Sequence, residues 1–147
     1  MDPRITAAPA PYGFREVRSW PLLTIEQLPA LRGDLEANLP TAESASLDAV
    51  PEAIVLVASE LATNAIEHGD GPAAVRLLER DGELLLDVAD RASGTTPRIT
   101  TDPCASGGFG LVLAARLADA VGWYATQAGK HVWARFTVET REPSLTA

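Results

Sequence analysis

The chain has 147 residues, with 12 Lys and Arg against 20 Asp and Glu for a net charge of −8, and it is 46% hydrophobic and 22% charged. That suits one globular domain with a single core and excludes global disorder, while the negative charge argues against wrapping a phosphate backbone, so no direct nucleic-acid contact is expected. The single cysteine, Cys104, excludes an internal disulfide and a cysteine-based metal site. The start, Met1-Asp2-Pro3-Arg4, lacks the apolar core of a secretory signal, and no apolar run approaches the roughly 20 residues that span a bilayer. A soluble cytoplasmic protein with no membrane segment is the expectation.

Residues 1–12, with Pro3, Pro9 and Pro11 among small residues, read as a flexible arm. The ordered domain is expected over 13–140, and the aperiodic stretch 141–147, containing Pro143, reads as a C-terminal tail. Phe14, Val17 and Trp20 ahead of Pro21 predict a short edge strand. Ile25, Leu28, Leu31, Leu35 and Leu39 follow Thr24 at helical spacing and predict a helix with Thr24 as N-cap, against which Pro29 speaks. The strongest helix runs over 47–67: Val50, Ile54, Val57, Leu61, Asn64 and His68 descend one stripe, and Gly69-Asp70-Gly71-Pro72 ends it.

Segments 74–78 and 83–89 flank an Asp81-Gly82 pair, which predicts a hairpin. From Arg91 to Gly108 the apolar period vanishes, the composition of a long functional or mobile loop. A helix over 109–120 follows, burying Leu111, Val112, Ala115 and Leu117, and then a second hairpin, 122–126 and 131–138, turning through Ala128-Gly129-Lys130. This order predicts an α/β class, a two-layer sandwich of a mixed sheet with helices on one face.

Three polar clusters could carry chemistry. Glu60, Asn64 and His68 are four apart on the long helix and share a face. A solvated helix end would explain them, except that Asn64 lies beside the apolar stripe, where an amide is costly unless satisfied. Asp90 closes a strand, where a carboxylate can accept a hydrogen bond from the exocyclic amine of a base, or can simply open a turn. Ser106-Gly107-Gly108-Phe109-Gly110-Leu111 opens a helix with glycines that admit an anion to backbone N–H groups. It lacks the Gly-Lys-Ser/Thr of a P-loop and follows a loop rather than a strand, so a flexible joint explains it equally well.

Taken in order, Ser59-Glu60-Leu61-Ala62-Thr63-Asn64-Ala65-Ile66-Glu67-His68, then Asp90-x-x-x-Gly94, then Gly107-Gly108-x-Gly110-Leu111 are far more specific than any one alone. They closely resemble the ATP-binding domain shared by gyrase, Hsp90, histidine kinases and MutL, the GHKL superfamily with its Bergerat fold. Within it the wording resembles the small anti-sigma-factor serine/threonine kinases of the actinobacterial branch, over residues 14–138. The resemblance implies a two-layer α/β sandwich with a mixed, mostly antiparallel sheet, and ATP and Mg2+ as cofactors. By motif position Asn64 would coordinate Mg2+ at the nucleotide, Glu60 would be the general base, and Asp90 would receive the adenine amine. Gly94 would keep the base close to the backbone, and Gly107, Gly108, Gly110 and Leu111 would form the phosphate-covering lid and helix start, with 91–106 as the mobile part of the lid.

Two positions depart from the family pattern. Ala92 stands where Asp-x-Gly-x-Gly has its first glycine, and His131 stands where the family ending often has a threonine that bonds the Asp and the adenine. Proteins of this kind transfer the γ-phosphoryl group to a serine of a STAS-type anti-anti-sigma partner, hold a sigma factor inactive by partner switching, and often form homodimers. A non-catalytic module that sequesters a protein partner, with or without ATP, is the alternative. A two-component sensor is disfavoured because the 58 residues before Ser59 contain no histidine. His68 and His131 lack the carboxylate spacing of a zinc site. His68 reads as a helix-end residue, Trp20, Trp123 and Trp133 read as core or sheet-edge residues, and Cys104 is given no role.

Overall fold

Two apolar runs with a two-residue turn between them fold the middle of the chain into a hairpin, which lies inside the sheet. The computed structural model describes residues 5–39, 49–68, 72–91 and 109–137. In chain order these form β1 (Ile5–Ala7), β2 (Arg15–Leu22), a 3-10 turn (Ile25–Gln27), α1 (Leu28–Asn38), α2 (Ala49–His68), β3 (Ala73–Arg80), β4 (Glu83–Asp90), α3 (Phe109–Leu117), β5 (Ala120–Ala125) and β6 (Lys130–Thr137). The six strands make one sheet in the order β1-β5-β6-β4-β3-β2. All pairings are antiparallel except β1 with β5. This is the two-layer α/β sandwich expected, a mixed and mostly antiparallel sheet with its helices on one face.

The two-residue period of the strands divides the side chains between the faces. Trp20, Leu22, Val75, Leu77, Leu84, Leu86, Val88, Val132, Ala134 and Phe136 point toward the helices, where they meet Leu31, Leu35, Ile54, Val57 and Leu61. Leu78, Leu85 and Trp133 form a smaller cluster on the far face with Phe14, Ala120 and Tyr124. Each fully buried Leu, Ile or Val is worth about 1.5–3 kcal/mol of transfer free energy, so the helix-side layer supplies most of the drive to fold.

Local chemistry sets the ends of the elements. Gly82 takes φ +73 in the β3–β4 turn, a conformation that glycine adopts without steric cost. The predicted single helix after Thr24 is divided into a 3-10 turn and α1, with Gln27 Oε1 accepting from the N–H groups of Leu23 (2.5 Å) and Thr24 (3.1 Å). Pro29 sits in the first turn of α1, where a missing N–H costs nothing. Trp20 Nε1 donates to Asp34 Oδ2 (3.1 Å) and Arg32 to Ser59 Oγ (3.2 Å), tying α1 to the sheet and to α2.

Two stretches differ from the sequence expectation. Helix α3 stops at Leu117 and the chain enters β5 at Ala120, because the Asp119 N–H already bonds the Arg135 carbonyl (2.8 Å) and Asp119 Oδ2 accepts from the Thr137 N–H (2.6 Å). Residues 5–8 do not behave as an unattached arm: β1 pairs with the edge of β5, Ala8 N–H donates to the Trp123 carbonyl (3.0 Å), and Trp133 Nε1 donates to the Ala8 carbonyl (2.9 Å). Backbone bonds carry that pairing, so it leaves no apolar period to read.

The Trp133 ring lies directly over Gly122, where an added Cβ would stand 2.3 Å from Trp133 Cζ2. Gly122→Ala is therefore expected to displace the indole, cost about 1–3 kcal/mol in urea unfolding, and speed amide exchange at residues 6–8. A variant with wild-type stability and protection would contradict this packing.

Candidate functional site

Helix α2 is apolar along the side that meets the sheet. Ile54, Val57, Ala58, Leu61, Ala62 and Ala65 are buried, and the helix packs on β3, β4 and β6. Asn64 lies beside this stripe, and its Oδ1 is buried without a hydrogen-bond partner. Trp123 Nε1 is the other such side-chain atom found among the described residues. An orphaned carbonyl oxygen of this kind costs roughly 1–3 kcal/mol unless a donor or a cation meets it. Glu60, one turn earlier, is half-buried on α2. The neighbouring hydroxyl of Thr63 turns inward instead, donating to the Ser59 carbonyl (2.7 Å).

Asp90 ends β4 on the same side of the sheet as Leu84, Leu86 and Val88, the side covered by α2. Its register partner on β6 is Lys130, whose Nζ lies 4.0 Å from Asp90 Oδ2, and both side chains are enclosed, at 11% and 6% exposed. Gly129 permits this approach: a Cβ there would stand 1.9 Å from the Asp90 carbonyl oxygen. The expectation that His131 holds the place of the family threonine beside the Asp is corrected here. His131 pairs with Ala89, one residue out of phase with Asp90, and so belongs to the opposite face. Lys130 stands beside Asp90 instead.

The other predicted site residues divide by location. Gly110 and Leu111 lie in the first turn of α3, which packs against α2. His68 is the last residue of α2. Gly94, Gly107, Gly108, Ala92 and Cys104 lie outside the described residues. The structure thus brings Asn64, Glu60, Asp90 and the start of α3 to the helix-covered side of one sheet.

A cluster that the sequence reading missed occupies the far face. Asp87, 1% exposed, accepts from Arg76 Nη2 and lies 2.9 Å from His131 Nδ1, while Arg76 also pairs with Glu16 at 3.4 Å. The His131 ring stacks on Tyr124 with centroids 4.6 Å apart and planes within 5° of parallel. Burial pushes the Asp87 carboxyl up, and the hydrogen bonds from His131 and Arg76 outweigh it, leaving the group below its ordinary value. Burial likewise opposes the Arg76 charge, and Asp87 and Glu16 more than restore it. The Tyr124 phenol is pushed up by burial and by the Asp87 charge. A signal for part of this was present: counting back from the two-residue turn puts Arg76 opposite Asp87.

A concavity of about 320 Å³ at this end of the sheet is lined by Pro21, Ala74, Ala89, Gly129 and His131 along with Asp90. Pro21, Ala74, Ala89 and His131 of this lining form one cross-strand row on the far face. Among the described residues no group of three or more His, Cys, Asp and Glu side chains could hold a metal by itself. The buried, unpartnered Oδ1 of Asn64 is a hard oxygen donor of the kind that Mg2+ takes. No described helix is long and apolar enough to cross a membrane.

Residues 23–136 match the family model described as the histidine kinase-like ATPase domain. The chain belongs to that family, and ATP is the ligand that membership implies. Among solved structures, the RsbU and RsbW domains of Rv1364c from Mycobacterium tuberculosis share the fold with a TM-score of 0.60 at 18% identity. That match covers 88% of this chain and 35% of the other. No curated protein matches the chain significantly.

The Asp87 geometry has a consequence for stability against pH. Its folded pKa lies below the unfolded value, so its contribution is full above about pH 4 and fades as the pH falls through the folded value. Asp87→Asn is expected to lower unfolding free energy by roughly 1.5–3 kcal/mol at neutral pH. The gap from wild type should narrow in urea titrations run below about pH 4. A gap that stays constant across that range would contradict the assignment.

Proposed function

We propose that this chain binds ATP together with Mg2+ and transfers the γ-phosphoryl group to a serine of a STAS-type anti-anti-sigma protein, controlling a sigma factor in the cytoplasm by partner switching. The observation that carries the reading is Asn64 Oδ1, a buried acceptor without a partner, on the helix of an ATPase-domain family. The ordered motifs around Glu60, Asp90 and Gly110, and the likeness in fold to a chain with a domain named RsbW, support it. The net charge of −8 suits a protein partner better than a nucleic acid.

In this reading Asn64 holds Mg2+ through Oδ1, and Asp90 accepts a hydrogen bond from the adenine amine. Held there, Mg2+ would supply positive charge to offset the negative charge that develops in the transfer. Glu60, half-buried one turn from Asn64, takes the proton of the attacking serine hydroxyl as the serine oxygen bonds the γ-phosphorus and the bond to the ADP oxygen breaks. Gly110 and Leu111 open α3 with backbone N–H groups free of intrahelical partners, the arrangement that receives phosphate oxygens.

Transfer of radiolabel from ATP to a STAS-type substrate protein tests the reading. Glu60→Gln should slow transfer by roughly 10²–10⁴-fold while leaving ATP affinity within about twofold, as expected for a general base that binds no nucleotide. Unchanged transfer in that variant would remove Glu60 from the chemistry. Wild-type protein that binds ATP and partner yet never labels the partner would overturn the kinase reading in favour of a sequestering module.

A further inference from the structure

The residue beside Asp90 is a lysine whose side chain is only 11% exposed, so its charge is largely withdrawn from solvent. Asp90 and Lys130 are register partners on adjacent strands, point to the same face, and are almost wholly enclosed, at 6% and 11% exposed. Their charged atoms stand 4.0 Å apart, within ion-pair range and too far for a direct hydrogen bond. The two backbones are pinned there by Gly129, since any side chain at that position would run into the Asp90 carbonyl. The pair therefore presents, side by side, a carboxylate that only accepts and an ammonium that only donates.

We infer that Lys130 reads the nucleotide base together with Asp90, donating to ring N1 of adenine while Asp90 accepts from the neighbouring exocyclic amine. The inference rests on the ATP reading above and adds a residue to it. Adenine carries its amine and its N1 lone pair next to each other on one edge, so an acceptor and a donor set side by side match that edge in one plane. A base lacking the acceptor would leave a buried ammonium facing a C–H group, and sites built around a hydrogen bond discriminate strongly against analogues that lack it. His131 cannot take this role, because its ring is committed to Asp87 and Tyr124 on the other face.

The test compares ATP with 1-deaza-ATP, in which a C–H replaces N1, by calorimetric titration of the full chain with Mg2+ present. Wild-type protein should bind the analogue at least about tenfold more weakly, the loss of one charge-assisted hydrogen bond. Lys130→Met should bind ATP more weakly by a similar factor and should no longer distinguish the two nucleotides, so that the cycle closes with a coupling of about tenfold. Equal affinity of wild type for both nucleotides overturns the inference without needing a variant, and so does a Lys130→Met penalty that is the same for both. Wild type that binds neither nucleotide defeats the ATP reading itself.

Discussion

Every other residue along β4 faces the helices, and that alternation governs everything the domain can do. Leu84, Leu86, Val88 and Asp90 look toward α2, while Leu85 and Asp87 look away. A slip of one residue would carry Asp87 into the apolar layer and Asp90 out of it, exchanging the faces of the whole strand. The register is fixed on one side by the tight turn at Gly82 and across the strand by the Arg76–Asp87 pair. The far-face ion pair thus holds in place the strand that delivers Asp90 to the near face.

The helix layer places the second half of the site. Six small or branched apolar residues of α2, from Ile54 to Ala65, press into the sheet, and the same packing that buries them encloses the Asn64 carbonyl oxygen. Folding alone gives that atom no partner among the described residues. The helix thus carries an acceptor without a partner, and the strand end carries an acceptor beside a donor.

Much of this was legible in the sequence because it is written in local signals. The Asp81-Gly82 pair between two apolar runs gave the β3–β4 hairpin, the stripe from Ile54 to Leu61 gave α2, and the clusters at Asn64, Asp90 and Gly110 gave the family. What escaped depends on pairing between distant strands. β1 is held by backbone bonds to β5 and by the Trp133 indole, neither of which leaves a period. The phase of β6 against β4 decides whether position 130 or 131 stands by Asp90, and the family pattern, which points to His131, carries no information about that phase. Asp87 is one polar residue in an apolar strand, and only the pairing of β4 with β3 and β6 sets Arg76 and His131 beside it.

Under the proposed function, a cation held with ATP completes the buried oxygen of Asn64. Calorimetric titration of ATP into the wild type and into Asn64→Ala, each with and without Mg2+, measures it directly, with circular dichroism confirming that both proteins are folded. The account predicts binding by the wild type that strengthens at least about tenfold with Mg2+, and a variant that has lost that dependence. Magnesium-dependent binding of equal strength in both proteins, or wild-type binding indifferent to Mg2+, would contradict it.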